Sequence, residues 1–382
     1  MTSNLPVRQA ILDRRTYEPP GEGRANKLRL DFNENTAGCS PKVKRALAKL
    51  TSRLLSMYPE YERGTRRLAR HFGVAYEGLL LTNGGDDALR LFFDTFVDAS
   101  TTAVTIEPTF PMYRFWGEVC GAQLEVQRYG ANMEFPLEAV LQSLAAKPRV
   151  LFLCNPNNPT GTLIPVATIE KILQAATHTA VVVDEAYAEF SGVTVVPLIH
   201  QYPHLFVART FSKAAGLAGL RLGAVIAHSD SLAYLRRATA PFPVNVAALT
   251  AAEAAVSDPK SMKLYVKNIL RTRAWFEKEL HKLHIKTWPS AGNFLLADFG
   301  PTGSEMCVKL QAKHGILLRD RSKDIGPGSI RVTIGTPKEM QRLLKLIQRH
   351  RNASEHSRGT GTPASAPASH RKIPRGKAHT KS

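Results

Sequence analysis

Residues 205–223 read LFVARTFSKAAGLAGLRLG. The opening run, Leu205–Thr210, has the apolar character of a buried strand. Two hydroxyls (Thr210, Ser212) and a lysine (Lys213) close behind it, then only small or apolar residues until Arg221 and Gly223. In open α/β sheets, ligands bind beyond the carboxyl ends of the strands, so polar groups gathered there are placed for chemistry. A lysine among small residues is either an exposed loop charge or an amine kept for its reactivity.

Working outward, short apolar runs recur: Gly78–Thr82, Thr102–Glu107, Arg149–Cys154, Ala180–Glu185, Leu205–Thr210 and Gly223–Ala227. They are continuously hydrophobic rather than alternating, as strands covered on both faces are. Helix-length segments such as Pro165–Ala176 separate them. That rhythm predicts an α/β fold, a three-layer, mostly parallel sheet with helices on both faces. After about Leu232 the pattern changes to long helical stretches (Val246–Ser257, Met262–Leu283), short strands (Asn293–Phe299, Gly315–Asp320, Ser329–Gly335) and a last helix, Pro337–Arg351. This predicts a smaller α+β domain. The expected division is 1–45 packing with the small domain, 46–240 as the large domain, 241–351 as the small domain and 352–382 as a disordered basic tail.

The 382 residues are 43% hydrophobic and 22% charged, enough for a sizeable core. No apolar run approaches the roughly 20 residues that span a bilayer. The amino-terminal stretch lacks the charged start and apolar block of a secretory signal. Cys39, Cys120, Cys154 and Cys307 are scattered without zinc-site or disulfide spacing, so no metal is expected and a reducing cytoplasm is the simplest home. The net charge is +19, of which the Ser-, Pro- and Ala-rich tail from Asn352 carries six Lys and Arg against one Glu. Such a segment buries too little apolar surface to offset its ordering entropy. No nucleic-acid motif accompanies the charge, so solubility and attraction for phosphorylated small molecules account for it better than nucleic acid does.

Other polar groups stand at the strand ends. Asn83–Asp87, NGGDD, leads into a helix whose free N–H groups could receive a phosphate, although a Gly-Asp pair also makes an ordinary capping turn. NPNNPTG (Asn155–Gly161) is an irregular turn fixed by two prolines and a glycine, from which Asn158 projects. Asp184 closes an apolar strand, where a carboxylate is costly to desolvate unless it meets a cation, and Tyr187 follows. Arg221 offers a planar fork suited to phosphate. Together these groups meet the needs of a phosphorylated aromatic aldehyde: an amine for the aldehyde, an acid for the ring nitrogen, donors for the ring oxygen and a phosphate cradle.

That combination, in that order, resembles the fold-type-I pyridoxal-5′-phosphate aminotransferases from about Asp31 to about Arg349, and more narrowly the histidinol-phosphate aminotransferase family. The narrower likeness rests on LDFNENTAGCSP (Leu30–Pro41), YPE (Tyr58–Glu60), CNPNNPTGT, VVVDEAYAEF, the lysine block, GILLRDRSKD and SIRVTIGT. The resemblance implies transamination between L-histidinol phosphate and 2-oxoglutarate or glutamate by a homodimer. It implies that Lys213 carries the cofactor and moves a proton, that Asp184 pairs with the pyridine nitrogen, and that Asn158 and Tyr187 bond the ring oxygen. Gly85, Asp86, Thr210, Ser212 and Arg221 would hold the phosphate, with Tyr58 reaching the site of the neighbouring subunit. Arg319 and Arg331 would receive the substrates' acidic groups, with Tyr17 nearby. Phe110 stands where the family carries a stacking tyrosine, and Thr36-Ala37 where a proline and an aromatic are usual. The nearest alternatives share the fold: an aromatic amino-acid aminotransferase or a threonine-phosphate decarboxylase. A pyridoxal-phosphate-binding regulator with a nucleic-acid-contacting tail is the alternative of another class.

Overall fold

A computed structural model describes residues 5–14, 16 and 23–359. Its large sheet has seven strands: β2 (Leu79–Thr82), β3 (Thr102–Glu107), β4 (Gln123–Arg128), β5 (Val150–Cys154), β6 (Ala180–Asp184), β7 (Leu205–Thr210) and β8 (Gly223–Ala227). They lie in the order β2-β8-β7-β6-β5-β3-β4. All neighbours are parallel except β8, which runs antiparallel to both β2 and β7. Successive residues of the central strands enter opposite cores. Val181, Val183, Leu205 and Val207 join one cluster, while Val182, Phe206 and Phe152 join the other. Both faces are thus covered, and each fully buried aliphatic side chain contributes about 1.5–3 kcal/mol.

A second sheet of five strands has the order β1-β11-β12-β10-β9, from β1 (Leu28–Leu30), β9 (Lys286–Trp288), β10 (Phe294–Asp298), β11 (Ile316–Asp320) and β12 (Ser329–Thr333). Strand β1 pairs in parallel with β11, Leu28 to Leu30 lying against Ile316 to Leu318, so the amino-terminal segment completes the smaller sheet. The long helix Pro259–Lys282 starts with proline in its first turn, and Asp258 accepts from Ser261 N–H. The helix that begins at Pro337 starts with a reciprocal cap. Glu339 accepts from the Thr336 N–H at 2.7 Å, and the Thr336 hydroxyl accepts from the Glu339 N–H at 3.4 Å.

Two boundaries differ from expectation. Helix Val246–Val256, assigned by sequence to the small domain, buries Ala248, Leu249, Ala251, Ala252 and Ala255 in the core of the large sheet. Its alanines allow close approach to helices Pro41–Leu47 and Glu62–Phe72. The terminal helix runs to Gly359, eight residues past the expected end at Arg351. No proline intervenes, and extending a formed helix needs no new nucleus. The rest of the expected tail lies outside the described residues. Among the described residues no helix is long and apolar enough to cross a membrane, and no cluster of ligating side chains could hold a metal.

Candidate active site

A cleft of about 520 Å³ lies where the carboxyl ends of β5, β6 and β7 meet the smaller sheet and the segment after β1. Its walls include Gly85, Asp86, Phe110, Asn158, Asp184, Tyr187, Thr210, Ser212, Lys213, Arg221, Arg319 and Arg331, so the fold brings together nearly all the residues singled out by sequence. Tyr58 is not among them. It is 76% exposed and stacks on Phe242, ring centroids 4.1 Å apart. Tyr17 lies outside the described residues.

Lys213 follows β7 and donates from Nζ to the carbonyl of Phe32 at 2.9 Å. Burial, with the nearby positive charge of Arg331, brings its pKa down to about 8. About a tenth of the amine is therefore unprotonated and nucleophilic at pH 7, far more than for an ordinary lysine. Asp184 ends β6. Burial raises its carboxyl to about 6, against the opposing pull of hydrogen bonds from the Tyr113 hydroxyl (2.8 Å) and the Ala186 N–H (3.1 Å). Such a carboxylate is poised to meet a cationic ring nitrogen.

The asparagine turn is locked by its own side chains. Asn155 bonds Ile164 through both amide atoms, and Asn157 bonds Thr109, Pro108 and Thr160. Asn158, buried beside them, accepts from Arg331 Nη1 through Oδ1, which leaves its Nδ2 as a donor. Arg331 Nη2 donates to the Asp31 carbonyl, and its Nε is buried without a hydrogen-bond partner. Burial lowers the Arg331 guanidinium to about 10. Tyr187, 3% exposed, accepts at its hydroxyl from Asn33 Nδ2 at 2.9 Å, and burial pushes its phenol upward.

At the other end, Arg221 lies across the start of helix Gly85–Phe96 and pairs with Asp86 at 2.9 Å. Glycine is required here. Gly84 has φ +85°, and a Cβ on it would sit 2.6 Å from Arg221 Nη2. The Thr210 hydroxyl donates to Ser212 Oγ at 3.0 Å. Guanidinium, two hydroxyls and a helix amino terminus form a cradle for a phosphate ester. With Lys213, Asp184 and the Asn158–Tyr187 pair, the donor set fits a phosphorylated pyridine aldehyde along its whole length.

Sequence reasoning missed four contributors. Tyr113 reaches Asp184, and Asn33 reaches Tyr187; neither partner is near in sequence. Arg29 and Arg321 also line the cleft. Arg321 is buried and pairs with Asp324 at 2.8 Å. Its spacing of two from Arg319, the period of a strand face, was the available signal.

Comparison with known proteins points to the same cofactor chemistry. The family model "Aminotransferase class I and II" matches residues 25–347. The chain is 34% identical over 333 residues to a histidinol-phosphate aminotransferase of Geobacillus sp. (strain WCH70), covering 85% of this chain and 90% of that one. It is 33% identical over 327 residues to a histidinol-phosphate aminotransferase of Methanosarcina mazei, covering 84% and 87%. The solved histidinol-phosphate aminotransferase of Sinorhizobium meliloti, in complex with pyridoxal-5′-phosphate, shares the fold. Its TM-score is 0.82 at 24% identity, over 91% of this chain and 99% of that one. Pyridoxal 5′-phosphate is the cofactor of this family, and the donor set above suits it. The chain belongs to the class I and II aminotransferases, fold-type-I enzymes that work with pyridoxal phosphate.

Proposed function

We propose that this chain transfers the amino group of L-histidinol phosphate to 2-oxoglutarate, a step of histidine biosynthesis, as a cytoplasmic homodimer. The observation that carries the reading is Arg331. It is a guanidinium 5% exposed, beside Arg319 at the cleft wall, with its Nε buried and unpaired. A buried cation so placed is costly unless an anion meets it, and both substrates are anionic. Relatives a third identical over most of the chain are named histidinol-phosphate aminotransferases.

Bound pyridoxal phosphate supplies the electron sink that makes the substrate Cα–H acidic. The chain supplies the rest. Lys213 would hold the aldehyde end and, with its lowered pKa, would take and return the proton at Cα. Asp184 would face the ring nitrogen and favour its protonated form. Asn158 and Tyr187 would donate to the ring oxygen, and Phe110 would cover the ring without adding a hydroxyl. Gly85, Asp86 (through its backbone), Thr210, Ser212 and Arg221 would hold the phosphate. Arg331 and Arg319 take the acidic group of each substrate in turn, since a fork of donors suits carboxylate and phosphate alike.

The dimer is supported by an apolar surface of Leu54, Leu55, Met57, Tyr58 and Phe242, each about half exposed or more. In the dimer Tyr58 would reach the neighbouring cleft, completing its phosphate end. A donor panel with 2-oxoglutarate as acceptor tests the function. Histidinol phosphate should give the highest kcat/KM among itself, phenylalanine, tyrosine and threonine phosphate. Preference for an aromatic amino acid, or release of CO₂ from threonine phosphate, would replace the proposal with one of the alternatives that share the fold.

A further inference from the structure

Asp184 has a partner that no sequence motif announced. Tyr113, 1% exposed, lies in helix Met112–Cys120 on the sheet face that carries Phe152 and Val182. Its ring stacks on Phe152 (centroids 5.3 Å, 17°) and meets the edge of Phe110 (6.1 Å, 85°). Packing on both sides leaves the ring little freedom, so its hydroxyl is fixed where it donates to Asp184 Oδ2 at 2.8 Å. The Ala186 N–H holds the other oxygen at 3.1 Å. Two donors, one on each oxygen, set the plane of the carboxylate and leave it further lone pairs for a third partner.

We propose that Tyr113 is a positioning residue that orients the Asp184 carboxylate and keeps it ionised for the cofactor's ring nitrogen. The inference rests on the role given to Asp184 above. A donor to the charged form of a buried acid opposes the drive of desolvation toward the neutral form. Among the other groups facing Asp184, only the Ala186 N–H and Lys213 act in the same direction, and Tyr113 outweighs each of them. Cys154, its neighbour across β5 and β6, and Tyr187 are both kept neutral by burial, Asp86 opposes ionisation, and Lys213 favours it. Burial also pushes the Tyr113 phenol well above its usual value, so it remains a donor at every working pH.

The test compares the wild-type protein, Tyr113→Phe, and protein with 3-fluorotyrosine in place of Tyr113. In the cofactor-free protein, difference infrared spectroscopy follows the Asp184 carboxyl, its band assigned by loss in Asp184→Asn. In the holoenzyme, the acid limb of kcat/KM and the cofactor Kd are measured from pH 5.5 to 8.5. In Tyr113→Phe the Asp184 midpoint and the acid limb should both rise by about one pH unit. Cofactor binding should weaken about tenfold near pH 6 and recover by pH 8.5. The more acidic fluorophenol should move both midpoints the opposite way, and it retains the ring's shape if the Phe variant folds poorly. Unchanged midpoints in both variants, even with a uniformly lower rate, would overturn the proposal and leave Tyr113 a packing residue. Full turnover in Asp184→Asn, with the infrared midpoint still following Tyr113, would overturn the role of Asp184 while upholding its coupling to Tyr113.

Discussion

Arg319 and Arg331 stand directly opposite each other across the β11–β12 ladder. Like charges at opposed positions of an antiparallel pair repel, and here one of them is buried as well. The asparagine turn and the Asp31 carbonyl hold Arg331 in place without neutralising it. Arg331→Lys should therefore harm both half-reactions, because an ammonium cannot supply two parallel donors. Losing a charge-assisted bond worth about 1.5–3 kcal/mol should lower kcat/KM for histidinol phosphate and for 2-oxoglutarate by roughly ten- to a hundred-fold. Impairment toward 2-oxoglutarate alone, in stopped-flow half-reactions, would mean that the amino donor brings no anion to Arg331.

Lys213 is held at a cost to the fold. Its folded-state pKa of about 8 lies below the ordinary 10.5, so the folded protein binds fewer protons than the unfolded chain between those values. Stability of the cofactor-free protein should rise as pH climbs from about 8 to 10.5. Below pH 8, Lys213→Met should be the more stable protein by up to roughly 3 kcal/mol, less what the bond to Phe32 contributes. The gain should vanish above pH 10.5, and turnover should be lost throughout. Urea titrations at pH 7 and 10.5 check this. Destabilisation by Lys213→Met at pH 7 would show that the ammonium is well accommodated.

Asp184 shows the converse. Its folded pKa of about 6 is above the ordinary 3.8, so the folded state holds this proton more tightly. That contribution is fully present below pH 3.8 and is lost as pH rises through 6. Between pH 4 and 6.5, cofactor-free wild type should lose stability relative to Asp184→Asn, measurable as a difference in the slope of Tm against pH. The Asn variant should fold normally yet transaminate at a small fraction of the wild-type rate. Near-normal turnover would make Asp184 a structural cap.

Much of this was legible in the sequence for a definite reason. Strands covered on both faces are apolar throughout, so β3, β5, β6 and β7 declared themselves. Strand β4 did not. It is the sheet edge, and its Gln123, Glu125 and Gln127 alternate with apolar residues, so no continuous run marks it. Strands β1 and β9, three residues each, carry too little pattern to read. The reversed direction of β8 depends on how Phe211–Leu222 turns back, where Phe211 N–H bonds the Leu222 carbonyl. No local signal encodes that. The site was legible where one loop holds its own chemistry, as around Lys213. It was hidden where a contact joins distant segments, as between Tyr113 and Asp184 or Asn33 and Tyr187.

The proposed dimer, with Tyr58 reaching the neighbouring cleft, predicts complementation. Lys213→Ala and Tyr58→Ala homodimers should each be nearly inactive. Heterodimers formed by mixing them should recover part of the wild-type activity, because one cleft then holds a lysine and a tyrosine from opposite chains. Full activity of a monomer in sedimentation velocity would exclude this arrangement.

Borohydride reduction of the holoenzyme, followed by peptide mapping, tests the central claim most directly. The account predicts a yellow protein that loses its visible absorption on reduction, with the cofactor fixed to the peptide that contains Lys213 and to no other. Labelling at a different lysine, or none with the cofactor still bound, would contradict the placement of the active site in this cleft.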